Sequence, residues 1–528
     1  LHCLSLDHQK SGSQRHEALR TRFLMIGGQA VQVVEKEMNI RLDEIDLSGS
    51  EEEEKENVAR EIAAAERLRK FDLEKGPLLR GLLFKLGEDR HILVLLMHHI
   101  AIDGWSMGVL DRDLGNLYTA TLKHKPADLP VLPFQYVDYT VWQREWMQGD
   151  KHALQMAYWK EKLADLTILD LPMDNPRSAK QTNNGAIVFF NVPPEITKGI
   201  LELCKREEAT LFMGLLAAFD VLLHRYSSAV DITVGTAVAN RKQEEIEGLI
   251  GYFMNMLVMR NNLGGNPKFI DLLRQVKENT LEAYAHQDLP FTKLVEELQP
   301  ARESNRNPLF QVVFELLSAQ KYPLVMEGLR TREWSVSEET AKFDLSFFIE
   351  EKDGRLEGGF EYSTDLYDRA TIERMAGHLK EILTAVVENP EQRIDWLPML
   401  TAKEREQIVV EWNQTESDYP RNSCVQREFE LQAAARPAAV ALGKGEESVS
   451  YQELNERANR LARYLVECGV REGSYVAICL ERSVNLYVSI LAILKVGGVY
   501  LPLDISHPQE RLNFMLEDSV TRIVLTQE

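Results

Sequence analysis

Met97-His98-His99-Ile100-Ala101-Ile102-Asp103-Gly104-Trp105-Ser106 follows the apolar run Ile92-Leu93-Val94-Leu95-Leu96 and ends it in two histidines, an aspartate and a glycine. A run this apolar predicts a strand buried on both faces. Neighbouring side chains on a strand point to opposite faces, so His98 and His99 cannot share one task. One enters the packing and the other faces the space across the sheet. Polar groups that end such a strand are either partnered or put to use, because burying them bare costs free energy. A satisfied structural histidine and a functional one are both open readings at this point.

Around this stretch, strand and helix patterns alternate through most of the 528 residues, which indicates an α/β architecture. At roughly 150 residues per domain the length predicts three or four units. Helical spacing marks 58–68, 106–122, 136–147, 196–207, 210–226, 367–387, 402–412, 451–468 and 483–495. Strands are expected within 81–102 on either side of Gly87-Glu88-Asp89, and at 187–192, 231–238, 309–316, 343–350, 475–480, 500–502 and 522–525. Breaker-rich stretches at 171–177 and 396–420 read as linkers. The aromatic residues Tyr136, Tyr139, Trp142 and Trp146 read as core.

Composition excludes several classes. The formal charge is −21, from 61 Lys and Arg against 82 Asp and Glu. That argues against nucleic acid or an anionic membrane surface as the main partner. The acidic run 51–56 reads as a solvated loop or helix start. Five scattered cysteines (Cys3, Cys204, Cys424, Cys468 and Cys479) form no CxxC pair, which fits free thiols in a reducing compartment. No apolar run approaches the ~20 residues of a membrane span, and a cytoplasmic protein is expected. The opening Leu1-His2-Cys3-Leu4 is neither a signal peptide nor an initiator, so the chain is expected to begin inside a longer one.

The familiar catalytic signatures are missing. No metal site is expected, because His98 and His99 face apart and no other His/Cys cluster lies near them. Gly443-Lys444-Gly445 lacks the spacing of a phosphate loop, and no helix signature follows Gly27-Gly28. No Gly-x-Ser-x-Gly offers a nucleophile. Chemistry would therefore fall to an unassisted histidine acting as general base.

His98-His99-Ile100-Ala101-Ile102-Asp103-Gly104 resembles the HHxxxDG signature of condensation domains of nonribosomal peptide synthetases. Five further stretches resemble that family's motifs in the family's order. They are Arg15-His16-Glu17-Ala18-Leu19-Arg20-Thr21-Arg22-Phe23, Tyr136-Val137-Asp138-Tyr139-Thr140-Val141-Trp142-Gln143, residues 250–260, His286-Gln287-Asp288-Leu289-Pro290-Phe291 and Arg306-Asn307-Pro308-Leu309-Phe310. Asn413-Gln414-Thr415, Ser450-Tyr451-Gln452-Glu453-Leu454 and residues 494–504 resemble the start of an adenylation domain.

The resemblance implies two lobes, each similar to chloramphenicol acetyltransferase, arranged in a V. The expected division is 1–174 for the first lobe, lacking its start, and 175–395 for the second. A linker at 396–420 and the N-terminal fragment of an adenylation domain at 421–528 follow. The implied reaction is amide formation between a donor thioester and an acceptor amine, both carried on phosphopantetheine arms of upstream and downstream carrier proteins. No cofactor is expected on the chain itself. ATP and magnesium would belong to the complete adenylation domain, whose remainder is an expected partner. His99 is the candidate for handling the amine, and Gly104 the candidate for offering its N–H to the oxyanion. His98 is expected in packing, with Asp103 paired to Arg241 to hold the loop. Asn255, His286 and Gln287 are candidates for lining the tunnel between the lobes.

The sequence also departs from the family. The motif expected before Arg15 is absent, Ser11-Gly12-Ser13 breaks the helix that would precede it, and the adenylation phosphate loop does not appear. An epimerization domain, which shares the paired histidines, is one alternative reading. An inactive, truncated domain that only docks carrier proteins is another.

Overall fold

A computed structural model of the chain describes residues 15–179, 182–299, 305–317, 324–334, 340–444 and 447–527. Cys3, the Ser11-Gly12-Ser13 break and Gly445 lie outside the described residues. The chain divides between Glu411 and Trp412 into two compact units.

The first unit opens with a hairpin. Strands β1 (Thr21–Ile26) and β2 (Gln29–Val34) pair antiparallel, with Ile26 opposite Gln29. Gly27 and Gly28 join them at φ +58° and +81°, a two-residue turn that other side chains resist. A three-stranded sheet follows in the order β3 (Leu42–Asp46), β4 (Leu79–Lys85), β5 (His91–Met97). β3 runs parallel to β4, so the chain must cross over, and the helix Lys55–Leu68 makes that crossing with Ala59 and Ala63 buried beneath it. The acidic run is partly tied down, because Arg90 pairs with Glu52 at 2.7 Å and with Glu56.

β5 corrects the expectation of a strand buried on both faces. Ile92 is buried, but Leu93 through Met97 are only half-buried. Among the described residues β5 is the edge of its sheet, so its apolar side chains are covered incompletely. The helix Gly104–Leu122 leaves the end of this strand region, followed by the helices Tyr136–Trp146 and Asp150–Lys162. In the aromatic helix only Tyr139 is buried, whereas Trp142 is 44% exposed, so the reading of all four aromatic residues as core fails.

The larger sheet has six strands. In chain order they are β6 (Gly185–Val192), β7 (Asp231–Val238), β8 (Asn255–Asn262), β9 (Val312–Leu317), β10 (Leu345–Lys352) and β11 (Arg355–Ser363). Across the sheet the order is β6-β11-β10-β9-β7-β8, with β9 parallel to both β10 and β7. The helix Leu211–Ser227 is buried over its first thirteen residues but for Leu211, and its Phe219 ring meets Phe347 at 5.0 Å. Phe314, Phe347 and Phe360 stack at 5.2 and 5.0 Å to form the centre of the largest core. The 171–177 stretch is anchored to this region, since Arg177 pairs with Asp344 and Thr371 Oγ1 donates to Asp174 at 2.9 Å. The helix Ala402–Val409 is anchored there too, through Glu404 and His378 at 3.0 Å.

In the second unit β12 (Val440–Lys444) and β13 (Glu447–Ser450) pair antiparallel. β14 (Tyr475–Cys479) lies between β15 (Val499–Pro502) and β16 (Ile523–Thr526), all parallel. The helices Tyr451–Glu467 and Val484–Lys495 cover this sheet, with Leu465, Val476 and Ile493 at its centre. Among the described residues no single helix is long and apolar enough to cross a membrane, and the four described cysteines are free.

Candidate functional site

Asp103 decides the local geometry. It is the N-cap of the helix Gly104–Leu122, extended at φ −116° and ψ 177°. Its Oδ1 accepts from Ser106 N at 2.8 Å, and its Oδ2 accepts from Phe253 N at 2.9 Å. Arg241 Nη2 donates to Oδ1 at 3.2 Å and to Ser106 Oγ at 2.6 Å. The other end of the guanidinium, Nη1, donates to the carbonyls of Ile246 and Leu249, both at 2.7 Å. Gly251 N donates to Ser106 Oγ at 3.2 Å. Asp103 is 3% exposed, Ser106 0% and Arg241 9%. Two opposite charges so deeply buried persist because nearly every lone pair and N–H has a partner. The cluster bolts the turn after β5 to the 241–253 segment of the six-stranded region.

Two aromatic contacts complete the bolt. The Arg241 guanidinium lies 4.1 Å from the Phe253 ring centroid. Tyr136 donates its hydroxyl to Tyr252 O at 2.7 Å and packs edge-on against Phe253. Gly251 sits where a Cβ would stand 2.3 Å from the Tyr136 ring, so only glycine lets the segment pass.

The two histidines separate as strand geometry requires. His98 is half-buried, its Nδ1 accepts from Ile100 N at 3.1 Å, and its ring stands edge-on to Phe71 at 5.8 Å. Loss of solvent around it, and then the charge of His99, hold its imidazole below the usual histidine range. His99 is exposed and its ring meets Tyr252 edge-on at 5.5 Å. Gly104 opens the helix, with nothing within 4 Å of where a Cβ would stand. Its N–H and that of Trp105 belong to the first turn and find no acceptor among the described residues.

The remaining candidates lie elsewhere. Asn255 is 8% exposed, and its amide is used up by main chain. It donates to Gln287 O at 2.9 Å and Leu289 O at 2.7 Å, and accepts from Phe291 N at 2.9 Å. It therefore staples the 287–291 turn. Gln287 donates to Tyr284 O at 2.9 Å. His286 stacks on Tyr158 at 3.8 Å and lines an open cleft of about 410 Å³ with Trp142, Trp146 and Lys151. His99 and Tyr252 are not among the residues lining that cleft. No group of three or more His, Cys, Asp or Glu among the described residues could hold a metal ion.

Ser106 and Tyr252 were not singled out from the sequence. Ser106 carried a signal, since it stands three residues after an N-cap aspartate, where the cap reaches back. Nothing local announces Tyr252. The Arg15-His16 stretch acts structurally: Arg15 Nε and His16 Nε2 both reach Asp113 Oδ2 at 2.9 Å, tying residues 15–20 to the helix Gly104–Leu122.

Residues 9–409 match the family described as Condensation domain, and residues 429–528 match AMP-binding enzyme. The chain is 44% identical over 518 residues to a linear gramicidin synthase of Brevibacillus parabrevis, covering 98% of this chain and 10% of that protein. To the chondramide synthase of Chondromyces crocatus it is 42% identical over 519 residues, covering 98% of this chain and 13% of that protein. It spans about a tenth of the length of the curated relatives it matches. A four-domain nonribosomal peptide synthetase bound to AMP and glycine superposes with a TM-score of 0.75 at 24% identity, over 98% of this chain and 40% of that one. The X-domain from teicoplanin biosynthesis superposes with a TM-score of 0.70 at 27% identity, over 76% of this chain and 90% of that one.

Proposed function

The chain belongs to the Condensation domain family and continues into the start of an AMP-binding enzyme, and from that premise we propose that it forms an amide bond between two tethered substrates. The donor is an aminoacyl or peptidyl thioester and the acceptor an aminoacyl amine. Each is carried on the phosphopantetheine arm of a carrier protein, and the rest of the adenylation domain is a further partner.

One observation carries the reading. Of the two histidines, His99 alone is exposed, while the Asp103 cluster beside it ties the turn to the 241–253 segment through several buried hydrogen bonds. The acceptor nitrogen attacks the thioester carbon, and a neutral imidazole at His99 takes the proton it sheds. The oxyanion of the tetrahedral intermediate is met by the open N–H of Gly104 at the positive end of the helix. When the C–S bond breaks, the proton passes from His99 to the leaving sulfur. Holding two tethered reactants in register supplies much of the rate. Asp103 and Arg241 act by fixing the turn, and His98 by packing against Phe71.

The test is product formation from two loaded carrier proteins in the complete synthetase that contains this segment, followed by mass spectrometry. His99→Ala is expected to lower the rate by about 10²–10⁴-fold, the usual contribution of a positioned general base. Equal product from both proteins rejects the role of His99. An epimerized substrate in place of the dipeptide moves the site to the epimerization reading.

A further inference from the structure

Hydrogen bonds pin the main chain of both segments that meet at His99. On the histidine side, His98 N donates to Leu78 O at 3.0 Å, and Ala101 N closes back on His98 O at 3.0 Å. On the other side, Tyr252 is fixed at three successive points. Gly251 N donates to Ser106 Oγ at 3.2 Å, the Tyr252 carbonyl accepts from the Tyr136 hydroxyl at 2.7 Å, and Phe253 N donates to Asp103 Oδ2 at 2.9 Å. Asp103 and Ser106 stand a few residues beyond His99, at the start of the helix Gly104–Leu122, so the two segments are bolted directly to each other.

The side chain of Tyr252 is left outward. From Leu249 to Phe253 every other residue is buried, whereas Tyr252 is 40% exposed. Its ring meets the His99 ring edge-on, with centroids 5.5 Å apart and planes at 73°. That is one of the preferred arrangements of an aromatic pair. His98, one residue away, has its own edge-on partner in Phe71. Each histidine of the motif is thus set against one aromatic ring, His98 within the packing and His99 at its open edge.

An exposed imidazole turns between rotamers, and each turn carries its nitrogens away from the atom they must meet. A general base works only within hydrogen-bond reach of the proton it takes. Resting on the role of His99 proposed above, we infer that Tyr252 is a positioning residue for amide formation. Its ring, held from behind through Tyr136, Asp103 and Ser106, limits the His99 imidazole to the orientation that faces the acceptor amine. Tyr252 takes no proton itself. The ring orients the base, and the hydroxyl is dispensable.

The experiment is a double-mutant cycle in the complete synthetase that contains this segment, with loaded donor and acceptor carriers varied separately. Tyr252→Leu is expected to lower kcat by about 2- to 10-fold, the weight of one edge-on aromatic contact. The KM for each carrier stays unchanged, which a generally loosened fold would not leave intact. Tyr252→Phe, which keeps the ring, recovers most of the loss. In a His99→Ala background Tyr252→Leu has no further effect, because no imidazole is left to orient. A normal kcat in Tyr252→Leu overturns the inference. So does a loss in Tyr252→Phe as large as in Tyr252→Leu, or a Tyr252→Leu defect of full size without His99. His99→Ala in the same assay separates the two proposals. A slow His99→Ala beside a normal Tyr252→Leu removes only Tyr252, whereas a fully active His99→Ala removes the reading on which it rests.

Discussion

The three-stranded and six-stranded regions of the first unit are built to different standards. The six-stranded region closes over one continuous core of stacked phenylalanines, with its central helix almost wholly buried. The three-stranded region rests on a small cluster around Phe84, Leu82 and Ala59, and its last strand is half-covered. Yet His99 is on the thinner side. Its turn is held by Arg241, Gly251 and Phe253, which come from the thicker one. The better-packed region therefore supplies rigidity to a site whose exposed histidine belongs to its neighbour. A reactive side chain must stay open to substrate, so its order has to come from the groups behind it.

Three substitutions test that division, the most damaging first. Arg241→Ala leaves Asp103 buried without its counter-charge and is expected to cost about 3–5 kcal/mol in urea denaturation. Condensation should fall with it, although Arg241 is buried behind the turn. Gly251→Ala forces a Cβ against the Tyr136 ring and should cost about 1–3 kcal/mol, with a loss of activity larger than the loss of folded protein. Val94→Ala removes methyl groups from the half-covered strand leading to the histidines and should cost only about 1 kcal/mol. A Val94 variant more damaging than the Arg241 variant would mean that the thin sheet, not the cross-contact, holds the motif.

How far these features could be read from the chain depended on distance along it. The helix after Asp103 was expected from position 106 and begins at Gly104, because the aspartate caps it two residues earlier. β8 and β11 were not read as strands. β8 begins and ends in asparagine, and β11 carries Gly358-Gly359 in its middle, both of which weaken a strand signal. Arg241 was accessible as a partner because a buried carboxylate demands a cation. Asn255 illustrates the opposite case: its place in a motif suggested a tunnel lining, and only the fold shows its amide hydrogen-bonding the 287–291 turn.

Local pattern settled what depends on near neighbours. The alternation that sends His98 and His99 to opposite faces, the helical spacing after Asp103 and the strand–helix rhythm of both units all follow from side chains a few residues apart. Only the tertiary structure decided which surfaces meet. That β5 is half-covered and that Tyr252 faces His99 are consequences of sheet order and chain crossing. Residues more than a hundred positions apart are brought together by burying the cores between them, and no short window of sequence carries that information.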